Sequence, residues 1–387
     1  MGRVELRANA TTKGAQVNPK AAVASTGNVL IVFESPVFGK EVSEILGRVF
    51  DATGKEVKSE FQVKTYDKDA QTAPSVAGGP YRFVVAWDSM NQDADVDGIY
   101  AQLYDGSGKT LGKEFQAAKT TTGAQRFPSV GMLSGGTFLV AYNGQVAQAA
   151  SQSDVFGRIF DKDGNLVKDE FMVNVYTTKA QDRPLVVQVP GKSEFLVFWE
   201  SKDQDSVGGL GVYARKFNTS GVALSDEIAV NTTTGNDQKA VAASVSAAGK
   251  VTACWDTYSQ DSTNTWGVAC QILNYNDLTV AGGEFYPYAV KTGAQQGASV
   301  VYLPSGDFLV AWGTEQVDSG GFAVQYQRFS PAGQTIGPRV VANRYWTGDQ
   351  YRPFLAPLSS GSFFVGWQSE GQDGDSSGDY FRVMPPQ

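Results

Sequence analysis

Seven glutamines recur along the chain at almost constant intervals. They are Gln16, Gln71, Gln125, Gln181, Gln238, Gln295 and Gln350, and the steps between them are 55, 54, 56, 57, 57 and 55 residues. Counting from Gln350 through the C-terminus and back to Gln16 gives 53 residues, so the repeat also closes across the chain ends. A linear solenoid has two ends to cap, whereas a repeat that continues from the last residue to the first is typical of a ring. The spacing therefore predicts a ring of seven units.

Each unit has the pattern of four short strands. In the second unit, the segments TAPSVA, YRFVVAWDS, IYAQLYD and KEFQA are separated by turns rich in Asp, Asn and Gly. Short runs of β-branched and aromatic residues between such turns indicate strands, and no segment keeps a 3.6-residue period. Four-stranded antiparallel units repeated around an axis form a β-propeller. We therefore predict an all-β fold, a seven-bladed β-propeller that spans residues 1–387 as one domain.

The two chain ends are predicted to share a blade. The C-terminal unit stops after its third strand, in the sequence YFRVMPPQ. A fitting fourth strand stands at the other end, where residues 5–8 (ELRA) match the outer strand at residues 227–230 (EIAV). We expect residues 1–12 to supply the outer strand of the last blade and to close the ring through main-chain hydrogen bonds.

Two recurring residue types are predicted to be structural. Large rings at one position of each second strand would fill the space between blades; they are Phe33, Trp87, Tyr142, Trp199, Trp255, Trp312 and Trp367. The seven glutamines would be buried amides that tie backbone segments together at the blade junctions, or alternatively a polar ring at the channel mouth. Cys254 and Cys270 replace Ala86 and Ala101 of the second unit, so they form either a cross-strand disulfide or two buried thiols.

Charge and composition exclude several functions. The net charge is −8, which disfavours nucleic acid and anionic membranes as partners. The absence of histidine excludes Ser-His-Asp, Cys-His and zinc-histidine chemistry. No apolar run is long enough to cross a bilayer, and the first residues contain no visible secretory leader.

Function is predicted to lie on the face that carries the loops between second and third strands, because these loops vary most from unit to unit. One of them, Asp93-Ala-Asp95-Val-Asp97-Gly98, has the D-x-D-x-D-G opening of calcium loops, although a later carboxylate ligand is missing. Asp93, Asp95 and Asp97 are therefore candidate calcium ligands. The alternative is a solvated turn, since Asp and Gly favour turns in any case.

Aromatic and cationic residues that break the repeat point to a sugar site on the same face. Aromatic rings with nearby polar groups suit pyranose rings, and the alternative is that these residues only fill the loops and the channel mouth. The candidates are Trp266, Tyr345, Trp346, Tyr351, Arg126, Phe127, Arg183 and Arg352. Paired carboxylates for glycoside hydrolysis stay open, but we see no blade that departs from the others as a catalytic centre would.

The units resemble a tandem repeat common in large bacterial secreted and surface proteins, where it stands beside adhesin-like and calcium-dependent export modules. The segments that carry the resemblance are GGTFLVAY, GRIFDKDGNLVKDEFMVN and FLVFWESKDQDSVGGLGVYARKF. It implies an extracellular or cell-surface setting and an adhesive role, with a glycan or a cell-surface protein as partner. It also carries over the loop pairs Gln92-Asp93, Gln204-Asp205, Gln260-Asp261 and Gln372-Asp373.

Taken together, these observations predict a non-enzymatic, lectin- or adhesin-like recognition module that binds carbohydrate through the variable loops, with calcium as the one candidate cofactor. The alternatives are a structural or oligomerising ring and a carbohydrate-active enzyme.

Overall fold

Seven antiparallel sheets follow one another along the chain and form a β-propeller. The computed structural model describes residues 4–37, 39, 42–93, 96–145, 152–205, 208–259, 265–289, 293–315, 317 and 320–386. Each blade begins with its innermost strand and runs outward, so that consecutive strands pair and the chain crosses to the next blade through a loop. The described residues include no helix with the length and apolarity that crossing a bilayer requires.

The strands of the first four complete blades are as follows. Blade 1 has β2 (Val17–Val23), β3 (Val29–Pro36), β4 (Ser43–Phe50) and β5 (Glu56–Gln62); blade 2 has β6 (Gln71–Gly79), β7 (Arg82–Met90), β8 (Asp97–Asp105) and β9 (Thr110–Gln116); blade 3 has β10 (Gln125–Met132), β11 (Phe138–Gln145), β12 (Ser153–Phe160) and β13 (Leu166–Met172); blade 4 has β14 (Gln181–Gln188), β15 (Glu194–Lys202), β16 (Leu210–Asn218) and β17 (Ile228–Ala229).

The remaining blades continue the pattern. Blade 5 has β18 (Gln238–Val245), β19 (Lys250–Tyr258) and β20 (Trp266–Asn274); blade 6 has β21 (Gln295–Tyr302), β22 (Phe308–Glu315), β23 (Phe322–Phe329) and β24 (Thr335–Val341); blade 7 has β25 (Gln350–Pro357), β26 (Phe363–Glu370), β27 (Ser377–Met384) and the N-terminal β1 (Leu6–Arg7). In blade 5 the outer segment makes only isolated bridges, Cys270 with Phe285 and Leu273 with Val280.

The N-terminal strand closes the ring as predicted. Leu6 pairs with Phe381 and Arg7 with Tyr380, which makes β1 the outer strand of blade 7. The pairing continues beyond the strand, because the Ala8 amide donates to the Asp379 carbonyl at 2.7 Å. The first and last strands, β1 and β27, are thus joined by main-chain hydrogen bonds.

The hydrophobic core lies between blades. Among the described residues, seven apolar clusters form, and each combines residues from two neighbouring blades. The seven recurring aromatic rings of the second strands are all fully buried, which confirms their packing role. Large rings stack between flat sheets because aromatic side chains bury the most area per residue.

The recurring glutamines are buried amides. Each side chain is at most 1% exposed. Each Nε2 donates to a carbonyl two or three residues earlier in the loop that enters the blade; Gln350, for example, donates to Thr347 and Gly348, both at 3.0 Å. The tying role is therefore confirmed, and a glutamine in this position fixes the crossover between blades.

Cys254 and Cys270 are directly opposite each other on β19 and β20 and form a disulfide. Of the two alternatives left open by the sequence, the disulfide is the one found. It joins the second and third strands of blade 5, where the outer strand is reduced to bridges.

Candidate active site

A ring of left-handed residues shapes one mouth of the central channel. Two residues after each recurring glutamine, φ is positive, between 50° and 69°, and the first strand bulges; the residues are Asn18, Ala73, Phe127, Arg183, Ala240, Gly297 and Arg352. Non-glycine residues adopt this conformation at a cost, so something must hold it. Its position at the start of the innermost strands places it on the face of the variable loops.

Polar side chains from the preceding blade hold this bulge. The Ala73 amide donates to Glu34 at 2.8 Å and the Ala240 amide to Glu200 at 2.7 Å. In the same way, the Phe127 amide donates to the Asp88 carboxylate at 3.3 Å, and the Gly297 amide donates to the Asp256 carboxylate at 2.8 Å. These four carboxylates are buried, and burial raises the pKa of Glu200 and of Asp256 to about 7. Each accepts a backbone hydrogen bond that the fold requires, which gives all four a role in holding the bulge.

Blades 3, 6 and 7 depart from this arrangement. In blade 3 the corresponding residue is the neutral Asn143. The residue that would hold Arg352 is Gly313, which has no side chain. The one that holds Asn18 is the neutral Gln368, whose Oε1 accepts from the Asn18 amide at 3.5 Å. No carboxylate therefore accepts the amide proton of Arg352 in blade 7 or that of Asn18 in blade 1.

A carboxylate stands instead on the neighbouring strand. Asp379 on β27 pairs with Gln368 on β26. At the same register, the other six third strands carry only Ile or Val; these residues are Ile45, Ile99, Val155, Val212, Val268 and Val324. Asp379 is therefore the one polar residue at this buried position, and the packing of the core does not require it.

The carboxyl group of Asp379 is isolated. The residue is 0% exposed, and neither Oδ1 nor Oδ2 has a hydrogen-bond partner among the described residues. Burial raises the pKa of Asp379 well above its ordinary value, the charges of Asp373 and Glu34 raise it further, and Arg352 lowers it. A carboxyl group in such surroundings keeps its proton and can donate it.

Polar side chains of blades 7 and 1 surround this position. The Gln368 amide donates to the Tyr351 hydroxyl at 2.8 Å. Asn18 donates from Nδ2 to Glu34 at 2.7 Å and accepts from the Arg352 guanidinium through Oδ1. We call Asn18, Glu34, Tyr351, Arg352, Gln368 and Asp379 the blade 7 cluster.

A second cation stands next to this cluster. Lys20 follows Asn18 on β2, and its side chain is exposed to the channel. The channel walls, which desolvate the ammonium group, and the charge of Arg352 lower the pKa of Lys20, whereas Glu34 raises it. Among the seven blades only this one has a charged residue at the position, since the others have Ser75, Ser129, Leu185, Ala242, Ser299 and Phe354.

The predicted sugar-site residues fall into three groups. Tyr351 and Arg352 belong to the blade 7 cluster, and Tyr345 and Trp346 lie on the loop that leads into it. Trp346 is 47% exposed, and the Tyr345 hydroxyl contacts the Gly371 carbonyl at 3.5 Å. This group therefore includes one exposed aromatic ring, Trp346, on the loop that leads into blade 7.

The other two groups lie on blades 3 to 5. The Arg183 guanidinium stacks over Phe127 at 4.4 Å, while Arg126 is committed to an ion pair with Asp97 at 2.6 Å. Trp266 is half-buried between Tyr258 and the ammonium of Lys239, which lies 3.7 Å from its ring centroid. These rings are already occupied by protein partners, so they are weaker candidates than Trp346.

The described residues do not bring the predicted calcium ligands together. Asp97 is 8% exposed and pairs with Arg126, and Asp93 accepts from Gln116 at 3.2 Å. Asp95 lies outside the described residues. Within the described part of the chain no group of three acidic or cysteine side chains could hold a metal ion. Calcium at this loop stays a prediction.

The Gln-Asp loop pairs have a structural role where they are described. Gln92 accepts from Ser89 and donates to Glu114, both at 2.6 Å, and Gln204 repeats these bonds with Ser201 and Glu227. The partner aspartates lie against the glycines of the third strand, as Asp373 does at Gly378. Gln260 and Asp261 lie outside the described residues.

Sequence comparison finds no match, either to a protein-family model or to a curated protein. Solved structures share the fold. A polysaccharide lyase, an ulvan lyase bound to a GlcA-Rha3S saccharide, superposes with a TM-score of 0.62 at 10% identity, over 99% of this chain and 96% of that one. An α-L-arabinanase of Penicillium chrysogenum complexed with arabinobiose gives 0.53 at 12% identity, over 99% of both chains. A protein of unknown function from Dyadobacter fermentans gives 0.56 at 10% identity, over 100% and 99%.

The prediction of a non-enzymatic, lectin-like module is contradicted by these neighbours, because those with a named activity include enzymes that act on polysaccharides. The likeness itself shows the fold alone, since the identities are low. The blade 7 cluster gives a physical reason for the correction: a blade does depart from the others, by a buried carboxyl group that the repeat does not need. The resemblance to adhesin-like repeats has no family match to support it.

Proposed function

We propose that this protein cleaves glycosidic bonds, with the blade 7 cluster as its active site. The observation that carries the proposal is Asp379, a fully buried carboxyl group without a hydrogen-bond partner where six sister blades have an aliphatic side chain. Unpartnered buried polar groups are costly, and natural proteins keep them at sites where chemistry needs them. The polysaccharide enzymes among the structural neighbours agree with this reading.

In this proposal Asp379 is the general acid. Burial raises the pKa of Asp379 and so favours the protonated carboxyl group, whose proton passes to the glycosidic oxygen as the bond to the anomeric carbon breaks. Glu34 is the second carboxylate: it takes a proton from the water that adds to the anomeric carbon. Asn18 and the Ala73 amide orient Glu34 through hydrogen bonds at 2.7 and 2.8 Å.

The remaining residues of the region bind and position the sugar. Trp346, which is exposed, offers an apolar face to a pyranose ring, and Tyr351 and Gln368 offer hydroxyl and amide groups to its rim. Asp379 is fully buried, so side chains at the mouth must change rotamer before it can contact a sugar. We expect Arg352 to be one of them, because its side chain is exposed.

The test is a cleavage assay on a panel of neutral and acidic polysaccharides, which reads new reducing ends. Unsaturated uronate products, which form by elimination without water, would contradict the hydrolytic step. We expect Asp379→Asn to lower the rate roughly 100- to 10,000-fold, as loss of a general acid does. Asp256→Asn is the matched control, since Asp256 is also a buried carboxylate of the mouth but holds a backbone bulge. A wild-type protein inactive on every polymer, or an Asp379→Asn variant as active as the wild type, would overturn the proposal.

A further inference from the structure

Arg352 of the blade 7 cluster and the neighbouring Lys20 lack carboxylate ion-pair partners among the described residues. Among the described residues neither Arg352 nor Lys20 forms a salt bridge, although Arg126 at the same mouth pairs with Asp97 at 2.6 Å. Arg352 donates instead to the neutral Asn18 side chain. Two cations whose charges repel each other destabilise a site unless an anion joins them.

The nearest acidic groups do not fill this role. Glu34 is already held by Asn18 at 2.7 Å and by the Ala73 amide at 2.8 Å. Asp379 accepts no hydrogen bond from either cation, and both of its oxygens are buried without a partner. Arg352 and Lys20 therefore form a positive pair at a point of the mouth where no carboxylate accepts the amide proton of the left-handed residue.

We infer that this pair, Arg352 with Lys20, binds the negatively charged group of an anionic sugar, and that the substrate is an acidic polysaccharide. The inference rests on the proposed function and names its substrate class. A guanidinium matches the two oxygens of a uronate carboxylate, and an ammonium adds a point charge; a sulfate ester offers the same oxygens. The overall charge of −8 does not oppose this, because exposed charges farther than about 8 Å are screened at physiological salt.

Sister blades supply substitutions that the fold tolerates. Ala73 and Ala240 occupy the left-handed position of Arg352, so Arg352→Ala keeps the backbone conformation. Ser75 and Ser129 occupy the position of Lys20, so Lys20→Ser is the corresponding change. Arg183→Ala is the matched control, since Arg183 has the same left-handed backbone (φ 50°) and exposed side chain but stacks on Phe127.

The experiment compares cleavage of a uronate polymer with cleavage of its carboxyl-reduced form, and of a sulfated polymer with its desulfated form. We expect the wild type to prefer an anionic polymer, and Arg352→Ala to raise the KM of the anionic polymer roughly 10- to 100-fold relative to the KM of the neutral form, as loss of a charged hydrogen bond does. Loss of preference on carboxyl reduction identifies a uronate, and loss on desulfation identifies a sulfate; either supports the inference. Equal KM values for charged and neutral polymers, or an equal effect of Arg183→Ala, would overturn it.

A binding arm separates this inference from the proposed function. Calorimetry with uronate and sulfated oligosaccharides is done on wild type, Arg352→Ala and Lys20→Ser. Binding that depends on both cations, in a protein that cleaves nothing, would support the anion site and overturn the enzyme. Cleavage of neutral polymers alone, with no cation-dependent binding, would support the enzyme and overturn the anion site.

Discussion

At the scale of single residues, each blade repeats one strained position, the left-handed residue two places after the recurring glutamine, which lets the innermost strand bulge. In four cases a carboxylate of the preceding blade accepts the amide proton of this residue. Burial raises the pKa of three of these carboxylates, Asp88, Glu200 and Asp256, which have no part in the proposed catalysis. A raised pKa alone therefore does not mark the active site.

Glu200 and Asp256 give a prediction about pH. Burial raises both pKa values to about 7, above their unfolded values of about 4. The neutral forms therefore stabilise the fold fully below about pH 4, and this contribution is lost as the pH rises through about 7. We expect the free energy of unfolding to fall between about pH 5 and pH 8, on the order of 1–3 kcal/mol for each of the two carboxylates.

Urea denaturation of the double variant Glu200→Gln, Asp256→Asn at both pH values checks this. The amide oxygens still accept the bonds from Ala240 and Gly297, so the fall in stability with pH should shrink. The exposed Asp163→Asn serves as control and should behave as the wild type. A double variant with an unchanged pH dependence would show that these carboxylates do not titrate as the burial implies.

At the scale of elements, the sequence contained most of the blade architecture. Turn signals and alternating apolar residues located the four strands, and the recurring aromatics located the core, because burial requires the same residue types in every blade. It also located Tyr351 and Arg352, which break the repeat. It did not show which mouth residues already have protein partners, because pairs such as Arg126 with Asp97 join residues of neighbouring blades.

The substitution at Asp379 is visible in the sequence but not its meaning. Asp379 precedes Tyr380 where the corresponding residue of the six other third strands is Ile or Val. Its burial and the lack of hydrogen-bond partners, however, depend on packing between blades 7 and 1 and could not be read from the sequence.

In blade 5 the outer strand is reduced to isolated bridges. We expect the disulfide to supply part of the stabilisation that this strand gives to the other blades. Cys254 and Cys270 are 16 residues apart, and a loop of this size contributes about 3 kcal/mol. Reduction should therefore lower the thermal midpoint of the wild type. The variant Cys254→Ala, Cys270→Ala, which restores the residues of blade 2, should melt at the lower temperature with or without reductant. Equal midpoints for oxidised and reduced wild type would contradict the prediction.

At the scale of the whole molecule, stability is shared among seven similar interfaces, and one of them depends on the N-terminal strand. Ala8 is fully buried in the cluster that joins blades 7 and 1, with Leu6 packed against it. We expect removal of residues 1–8 to cost roughly 2–5 kcal/mol, comparable to the loss of a buried aliphatic side chain, and to expose the edge of β27. Removal of residues 385–387 is the control, because Pro385 and Pro386 are exposed. Similar melting temperatures for the two truncations would argue against closure by β1.

The central claim is that Asp379 is kept for chemistry at the expense of stability. The most direct measurement uses Asp379→Val, which gives blade 7 the residue of its sister blades, and determines polysaccharide cleavage and urea stability on the same preparation. We predict that cleavage is lost and that the free energy of unfolding rises by about 1–3 kcal/mol, because an unpartnered buried carboxyl group is removed. A variant that cleaves as well as the wild type, or that loses stability, would contradict the account.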